Sequence, residues 1–154
     1  MPLEGDVEVT IRHAQSGDAA ALAQLMCKLD YETTRAEMRQ RLRSISSDER
    51  YSTIVAEING VVCGMIGTLT HASYEHNDPS GKIIALVVSK QQRRSGVGRT
   101  LVAAAEKDFA RRNVSRVTVT TRFERKAAHQ FYEALGYSKT GFRFAKNLPP
   151  ISAH

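Results

Sequence analysis

Apolar positions recur along the chain with two periods, and the switches between the periods mark the elements. Val7-Glu8-Val9-Thr10-Ile11 alternates residue by residue, which predicts a half-buried strand. Ser16-Gly17-Asp18 supplies helix N-cap chemistry, and Leu22, Leu25, Met26 and Leu29 then recur at helical spacing. Thr34-Arg35-Ala36-Glu37 has the spacing of a capping box. It opens a second helix with Met38, Leu42 and Ile45 on the apolar side, ended by Ser46-Ser47-Asp48. Tyr51 to Ile58 and Val61 to Leu69 read as strands joined by Asn59-Gly60, a strong hairpin signal. A polar loop runs from His71 to Gly81. Lys82 to Ser89 follows, and its run Ile83-Ile84-Ala85-Leu86-Val87-Val88 is continuous, as in a strand buried on both faces. Val97, Leu101, Ala105 and Phe109 step by four along the next helix. Val114 to Thr121 predicts a strand, Lys126 to Leu135 a short helix with Gly136 just past its end, and Tyr137 to Leu148 a final strand. The order β-α-α-β-β-β-α-β-α-β predicts one mixed-sheet α/β (α+β) domain over residues 1–148, with 149–154 as a tail.

The 154 residues are enough for one domain with a real core. A hydrophobic share of 42% and a charged share of 25% exclude a disordered chain. No apolar run approaches a membrane span, and the acids Glu4, Asp6 and Glu8 are unlike a signal peptide. Cys27 and Cys63 form neither a disulfide framework nor a metal pattern, so the expected compartment is the reducing cytoplasm.

Charge changes this picture, because it is unevenly placed. Residues 1–81 carry 7 basic and 12 acidic residues, a net −5. Residues 82–126 carry 12 basic and 3 acidic residues, a net +9, against +6 for the whole chain. A block of this kind suits a polyanion: a nucleic acid or a phosphorylated small molecule.

Inside the block lies Val88-Ser89-Lys90-Gln91-Gln92-Arg93-Arg94-Ser95-Gly96-Val97-Gly98, joining the apolar strand to a helix. Two glycines allow a tight turn and a close backbone approach. The helix start adds unpaired N–H groups and the positive end of its dipole, which suits a pyrophosphate. The spacing is neither that of the nucleotide P-loop nor that of the dinucleotide fingerprint. Further on, Ala128, Tyr132 and Leu135 share one side of the short helix, with a small residue one turn from a phenol.

Taken together, Val-x-x-x-x-Arg-x-x-Gly-x-Gly followed by Ala-x-x-Phe-Tyr-x-x-x-Gly-Tyr resembles the GNAT superfamily of acetyl-CoA-dependent N-acetyltransferases over residues 82–137. The resemblance implies a three-layer fold with helices on both faces. Its central sheet is splayed between strands 82–89 and 114–121, with acetyl-CoA in the gap and no metal. It implies that Arg93, Arg94, Ser95, Gly96, Val97 and Gly98 cradle the pyrophosphate, extended by Arg99 and Thr100. It also implies that Leu86, Val87 and Val88 meet the pantetheine arm, that Ala128 and Phe131 line the cofactor side, and that Tyr132 is the general acid. Two positions depart from the family's habit. Arg125 stands where many members have Asn, and residues 82–89 contain no acid to serve as base.

The expected reaction is direct acetyl transfer to a primary amine of a small molecule or peptide. The two cysteines have no neighbouring His, so a covalent acetyl-enzyme is not expected. On the acceptor side the candidates are Tyr31 and Glu32 in the link between the first helices, and Glu75 and His76 in the following loop. Glu124 is a further candidate base. The acidic N-terminal half favours a cationic acceptor such as a polyamine or aminoglycoside. His71, His76 and Asp78 invite a metal reading but are three weak ligands in one loop. A nucleic-acid partner is disfavoured by 6% aromatics and no Trp. An acetyl-CoA sensor without transfer activity is the remaining alternative. The final strand, Tyr137 to Leu148, offers an edge through which a homodimer would pair.

Overall fold

The computed structural model describes residues 8–28, 31–93, 95–121 and 125–151, which divide between two units, Met1–Val119 and Thr120–His154. The first unit runs β1 (Thr10–His13), α1 (Ala19–Cys27), α2 (Arg35–Ser46), β2 (Tyr51–Ile58), β3 (Val61–His71), β4 (Ser80–Val88), α3 (Val97–Arg111) and β5 (Arg116–Val119). Its sheet has the strand order β1-β2-β3-β4-β5; β1 to β4 are antiparallel neighbours and β5 is parallel to β4.

Local chemistry accounts for the boundaries. Asn59 and Gly60 both take positive φ, 52° and 78°, the pair of values a two-residue turn needs to match strand twist. At the start of α2, Glu37 N–H donates to Thr34 Oγ1 at 3.1 Å and Thr34 N–H donates to Glu37 Oε1 at 3.0 Å. The first strand lies later than its alternation suggests. Thr10 faces Glu57, one residue from the end of β2, so Glu8 lies beyond the end of its partner, and Val7 lies outside the described residues.

The two faces of this sheet are covered by different helices. Leu22, Leu25, Met38 and Leu42 of α1 and α2 pack with Val55, Met65 and Val87. On the opposite face Gly64 lies under α3, where a Cβ would stand 3.1 Å from a Leu101 methyl and 3.2 Å from a Val97 methyl. Val97, Leu101, Ala105 and Phe109, the four-step stripe, are all at most 1% exposed. The expected α/β architecture with helices on both faces is what this unit shows.

The second unit contains α4 (Lys126–Ala134), which ends before Gly136 at φ +94°. The expected strand from Tyr137 to Leu148 is not formed: among the described residues of this segment no strand pairing occurs. Phe142, Phe144 and Leu148 are 77%, 92% and 78% exposed. Alternating apolar residues suit a strand, but a strand also needs a neighbouring strand to pair its N–H and C=O groups, and among the described residues none pairs with this segment.

Candidate active site

An interruption in β4 builds the site. β3 and β4 pair from Ser80 to Ile83 and again from Ala85 to Val88, and the shift between these stretches leaves Ile84 as an extra residue. Such a bulge bends its strand and increases local twist. β5 follows β4 only from the pair Ser80 and Arg116 to the pair Ile83 and Val119, and so stops at the bulge. Beyond it residues 84–88 keep β3 on one side and lose β5 on the other. Ser89 N–H donates to Cys63 O at 2.8 Å, which fixes the alternation of the ladder. Counting back along an antiparallel pair, Val87 and Ala85 spend their backbone groups on β3. Leu86 and Val88 turn theirs toward the side β5 has left. The side chain of Val87 is buried beneath α1, while Leu86 and Val88 are half-buried.

The chain leaves this edge through a short 3-10 turn at Lys90–Gln92 and enters α3 at Gly96, which caps the helix at φ +87°. A Cβ at Gly96 would meet nothing within 4 Å, so the conformation and not space selects glycine. The first bond of the helical ladder is Thr100 N–H to Gly96 O at 3.0 Å. The amides of Val97, Gly98 and Arg99 therefore lack a helical acceptor. Other predicted donors are already engaged. Arg93 N–H and Ser95 N–H donate to Lys90 O and Gln92 O, and Thr100 Oγ1 donates to Gly96 O at 2.9 Å. The amides of Val97, Gly98 and Arg99 at the helix start are flanked by the exposed side chains of Arg93 and Arg99. Arg94 lies outside the described residues.

In the second unit Tyr132 is 8% exposed, with Phe131 and Tyr137 edge-on at 5.1 and 5.7 Å between centroids. Burial pushes its phenol up to about 12, so the hydroxyl stays protonated at neutral pH. Ala128 and Phe131 are half-buried, and Arg125 is exposed at the N-cap of α4.

The acceptor-side candidates are not all gathered. α1 runs back along the sheet from the end of β1, so the α1–α2 link lies at the end of the sheet where β4 finishes. Tyr31 and Glu32, both exposed, belong to that link. Thr33 stiffens it: its hydroxyl donates to Tyr31 O at 3.0 Å and accepts from Arg41 Nη1 at 3.1 Å. Glu75 and His76 sit instead in the loop between β3 and β4, at the other end of β4 from Val88, where their amides donate to Ser73 Oγ. Asp78, from the metal reading, is engaged with Ser115 and Arg116. Glu124 lies outside the described residues. The Cys63 thiol is buried and raised by desolvation, and its Sγ lies 3.5 Å from Ala56 O; neither observation suits a nucleophile. Among the described residues no helix is long and apolar enough to cross a membrane. Sequence reasoning missed the bulge at Ile84 and the Asp78–Arg116 contact, because an unbroken apolar run carries no mark of an inserted residue.

A strand that runs on past the end of its parallel neighbour and leads into a helix N-terminus offers one ligand both an extended backbone edge and anion donors. The class of protein with this arrangement is the acyl-CoA-dependent N-acetyltransferase. The sequence model of the acetyltransferase (GNAT) family matches residues 19–137, and the chain belongs to that family. It is 31% identical over 143 residues to the aminoalkylphosphonate N-acetyltransferase of Salmonella typhimurium, covering 90% of each chain. Among solved structures, a Bacillus halodurans protein described as a transcriptional regulator has a TM-score of 0.84 at 21% identity, covering 92% of this chain and 100% of that one. A GNAT family acetyltransferase of Staphylococcus aureus has a TM-score of 0.79 at 23% identity, covering 91% and 98%. At these identities the two structures speak for the fold.

Proposed function

We propose that the chain moves an acetyl group from acetyl-CoA to the primary amine of a small molecule by direct attack, in the cytoplasm. The observation that carries this reading is the edge of β4 at residues 84–88 that no strand pairs among the described residues, and which leads into the amides of Val97, Gly98 and Arg99. The edge suits the amide-bearing pantetheine arm, and the helix start suits the pyrophosphate. The neutral amine nitrogen attacks the thioester carbon, forming an N–C bond. The backbone N–H of Val88 stabilises the oxyanion. The C–S bond then breaks, and Tyr132 gives its proton to the departing thiolate. The amine's own proton leaves through water, because residues 84–88 present no carboxylate.

For the acceptor, the relative's activity outweighs the charge argument. The acidic first half favours a cation, but a protein 31% identical over most of the chain is named for aminoalkylphosphonates. Those are small primary amines that also carry an anionic group. We place them first and aminoglycosides and polyamines after.

Calorimetry with acetyl-CoA tests the donor half on the wild type, Gly96→Ala and Gly96→Glu. Both substitutions strain the left-handed turn, but only Glu adds a negative charge at the anion site. The expected order is wild type, then Ala, then Glu with binding lost; equal binding by all three would remove the turn from the cofactor site. An amine panel with thiol release then ranks the acceptors, and turnover of an aminoalkylphosphonate above the cationic amines is the expected result.

A further inference from the structure

The first half of the chain is acidic, yet α2 within it is basic. It carries Arg35, Arg39, Arg41 and Arg43 against Glu37 alone, a net +3 inside a stretch of net −5. Arg35, Arg39 and Arg43 step by four along one exposed row, and among the described residues their side chains bond to nothing in the α1–α2 link. Arg41 stands off that row. Helical side chains lean toward the N-terminus, and its guanidinium reaches back along α2 until Nη1 donates to Thr33 Oγ1 at 3.1 Å. Thr33 is 9% exposed, and its hydroxyl donates in turn to Tyr31 O at 3.0 Å. The guanidinium is therefore fixed against the link, while the Arg41 side chain stays 47% exposed. Nη2 lies 3.8 Å from Glu37 Oε2, close enough for an ion pair and too far for a hydrogen bond. The other oxygen of Glu37 is engaged, accepting from Thr34 N–H. One arm of the Arg41 fork is thus held, and the other keeps N–H groups to give. The surroundings place this arm above the end of β4. Leu25 and Met26 close α1, Met38 and Leu42 flank Arg41 on α2, and these four pack in one cluster with Ala85 and Val87.

We propose that Arg41 is the residue that selects the acceptor's anionic group: its guanidinium, held at the link by Thr33, pairs with the phosphonate of an aminoalkylphosphonate and leaves the amine end free to approach the end of β4. This rests on the reading of the acceptor as an aminoalkylphosphonate. A planar fork suits the paired oxygens of a phosphonate better than a point charge does. The acids of the first half suit the ammonium end of the same molecule. One cation among many acids is what a small zwitterion needs, whereas a polyamine would gain nothing from Arg41.

Arg41→Gln, Arg41→Lys and Arg39→Gln test it, each assayed by thiol release with aminoethylphosphonate and with ethylamine, its counterpart without the phosphonate, and each titrated with acetyl-CoA. Both arginines are exposed on a helix, and Gln and Lys are good helix formers, so these variants fold. Arg41→Gln is expected to raise the KM for aminoethylphosphonate about 30-fold with kcat little changed. Its kcat/KM for ethylamine and its Kd for acetyl-CoA should not move. Arg41→Lys should recover part of the loss, because the charge returns without the fork. Arg39→Gln removes the same charge from the other row and should leave the phosphonate KM where it is. An unchanged phosphonate KM in Arg41→Gln would overturn the proposal. So would an equal loss with ethylamine, which means a damaged link, or an equal loss in Arg39→Gln, which means a diffuse field. A wild type that acetylates ethylamine as well as aminoethylphosphonate would instead overturn the acceptor reading on which the proposal rests.

Discussion

Tyr132 shows how burial shapes the chemistry of a single residue. Its phenol is held at about 12 by desolvation, against an ordinary value of 10. It is therefore a hydroxyl and not a phenolate at neutral pH. In the proposed mechanism its proton is transferred only as negative charge builds on the leaving sulfur. Tyr132→Phe should keep the edge-on packing with Phe131 and Tyr137 and lower turnover by about 100-fold, with acetyl-CoA affinity nearly unchanged. The pH profile offers a second reading. Deprotonation of this residue should not depress turnover below about pH 11. Stability moves the same way. A raised pKa means the neutral phenol is favoured in the folded state, so its contribution is complete below pH 10 and is lost as pH rises toward 12. Full activity in Tyr132→Phe would take the proton-donor role away from this residue.

Elements are joined here by side chains whose partners are distant in sequence. Arg12 in β1 reaches both oxygens of Asp18 at 2.9 Å and Glu57 in β2 at 3.3 Å, and Asp18 also accepts from Gln15 N–H at 2.7 Å. The carboxylate therefore sets the chain's direction from the first strand into α1. The Arg12 guanidinium, more than the Gln15 amide, holds its carboxyl below the usual range. Asp18→Ala should cost about 2 kcal/mol in urea melts at neutral pH. The lowered pKa means that this stabilisation is present above about pH 4 and is lost as pH falls through the folded-state value. The gap between wild type and variant should therefore narrow in acid, and a gap independent of pH would show that packing and not the ion pair is at work. None of this was legible in the sequence, where Arg12, Asp18 and Glu57 have no shared pattern. The capping box at Thr34, the Asn59-Gly60 turn and the stripe from Val97 to Phe109 were legible, because each is complete within a few residues. The strand expected over Tyr137 to Leu148 failed for the opposite reason: its alternation is local, but its partner had to come from elsewhere.

On the scale of the whole molecule, the informative quantity is where the positive charge of residues 82–126 is used. Part of it is consumed internally: Arg112 pairs with Asp108 at 3.2 Å and donates to Glu49 O, and Arg116 is held by Asp78. Lys82, Lys107, Arg111, Arg125 and Lys126 are exposed elsewhere, while Lys90, Arg93 and Arg99 are exposed around one turn, beside three helix-start amides. A long nucleic acid gains from many phosphates spread along a surface, whereas this concentration suits a compact anion with two or three. The two cases differ in salt dependence. Acetyl-CoA binding should weaken only several-fold between 50 and 200 mM salt, because few charges are neutralised, while any oligonucleotide binding should fall by orders of magnitude to a Kd of about 10 μM or weaker. Saturating acetyl-CoA should displace what oligonucleotide binds at low salt, since both would use the same turn. Titration of a labelled 20-mer at both salt concentrations, with and without acetyl-CoA, gives the answer directly. Submicromolar binding of the 20-mer at 200 mM salt that survives saturating acetyl-CoA would mean that the basic block serves a nucleic acid through a surface separate from that turn.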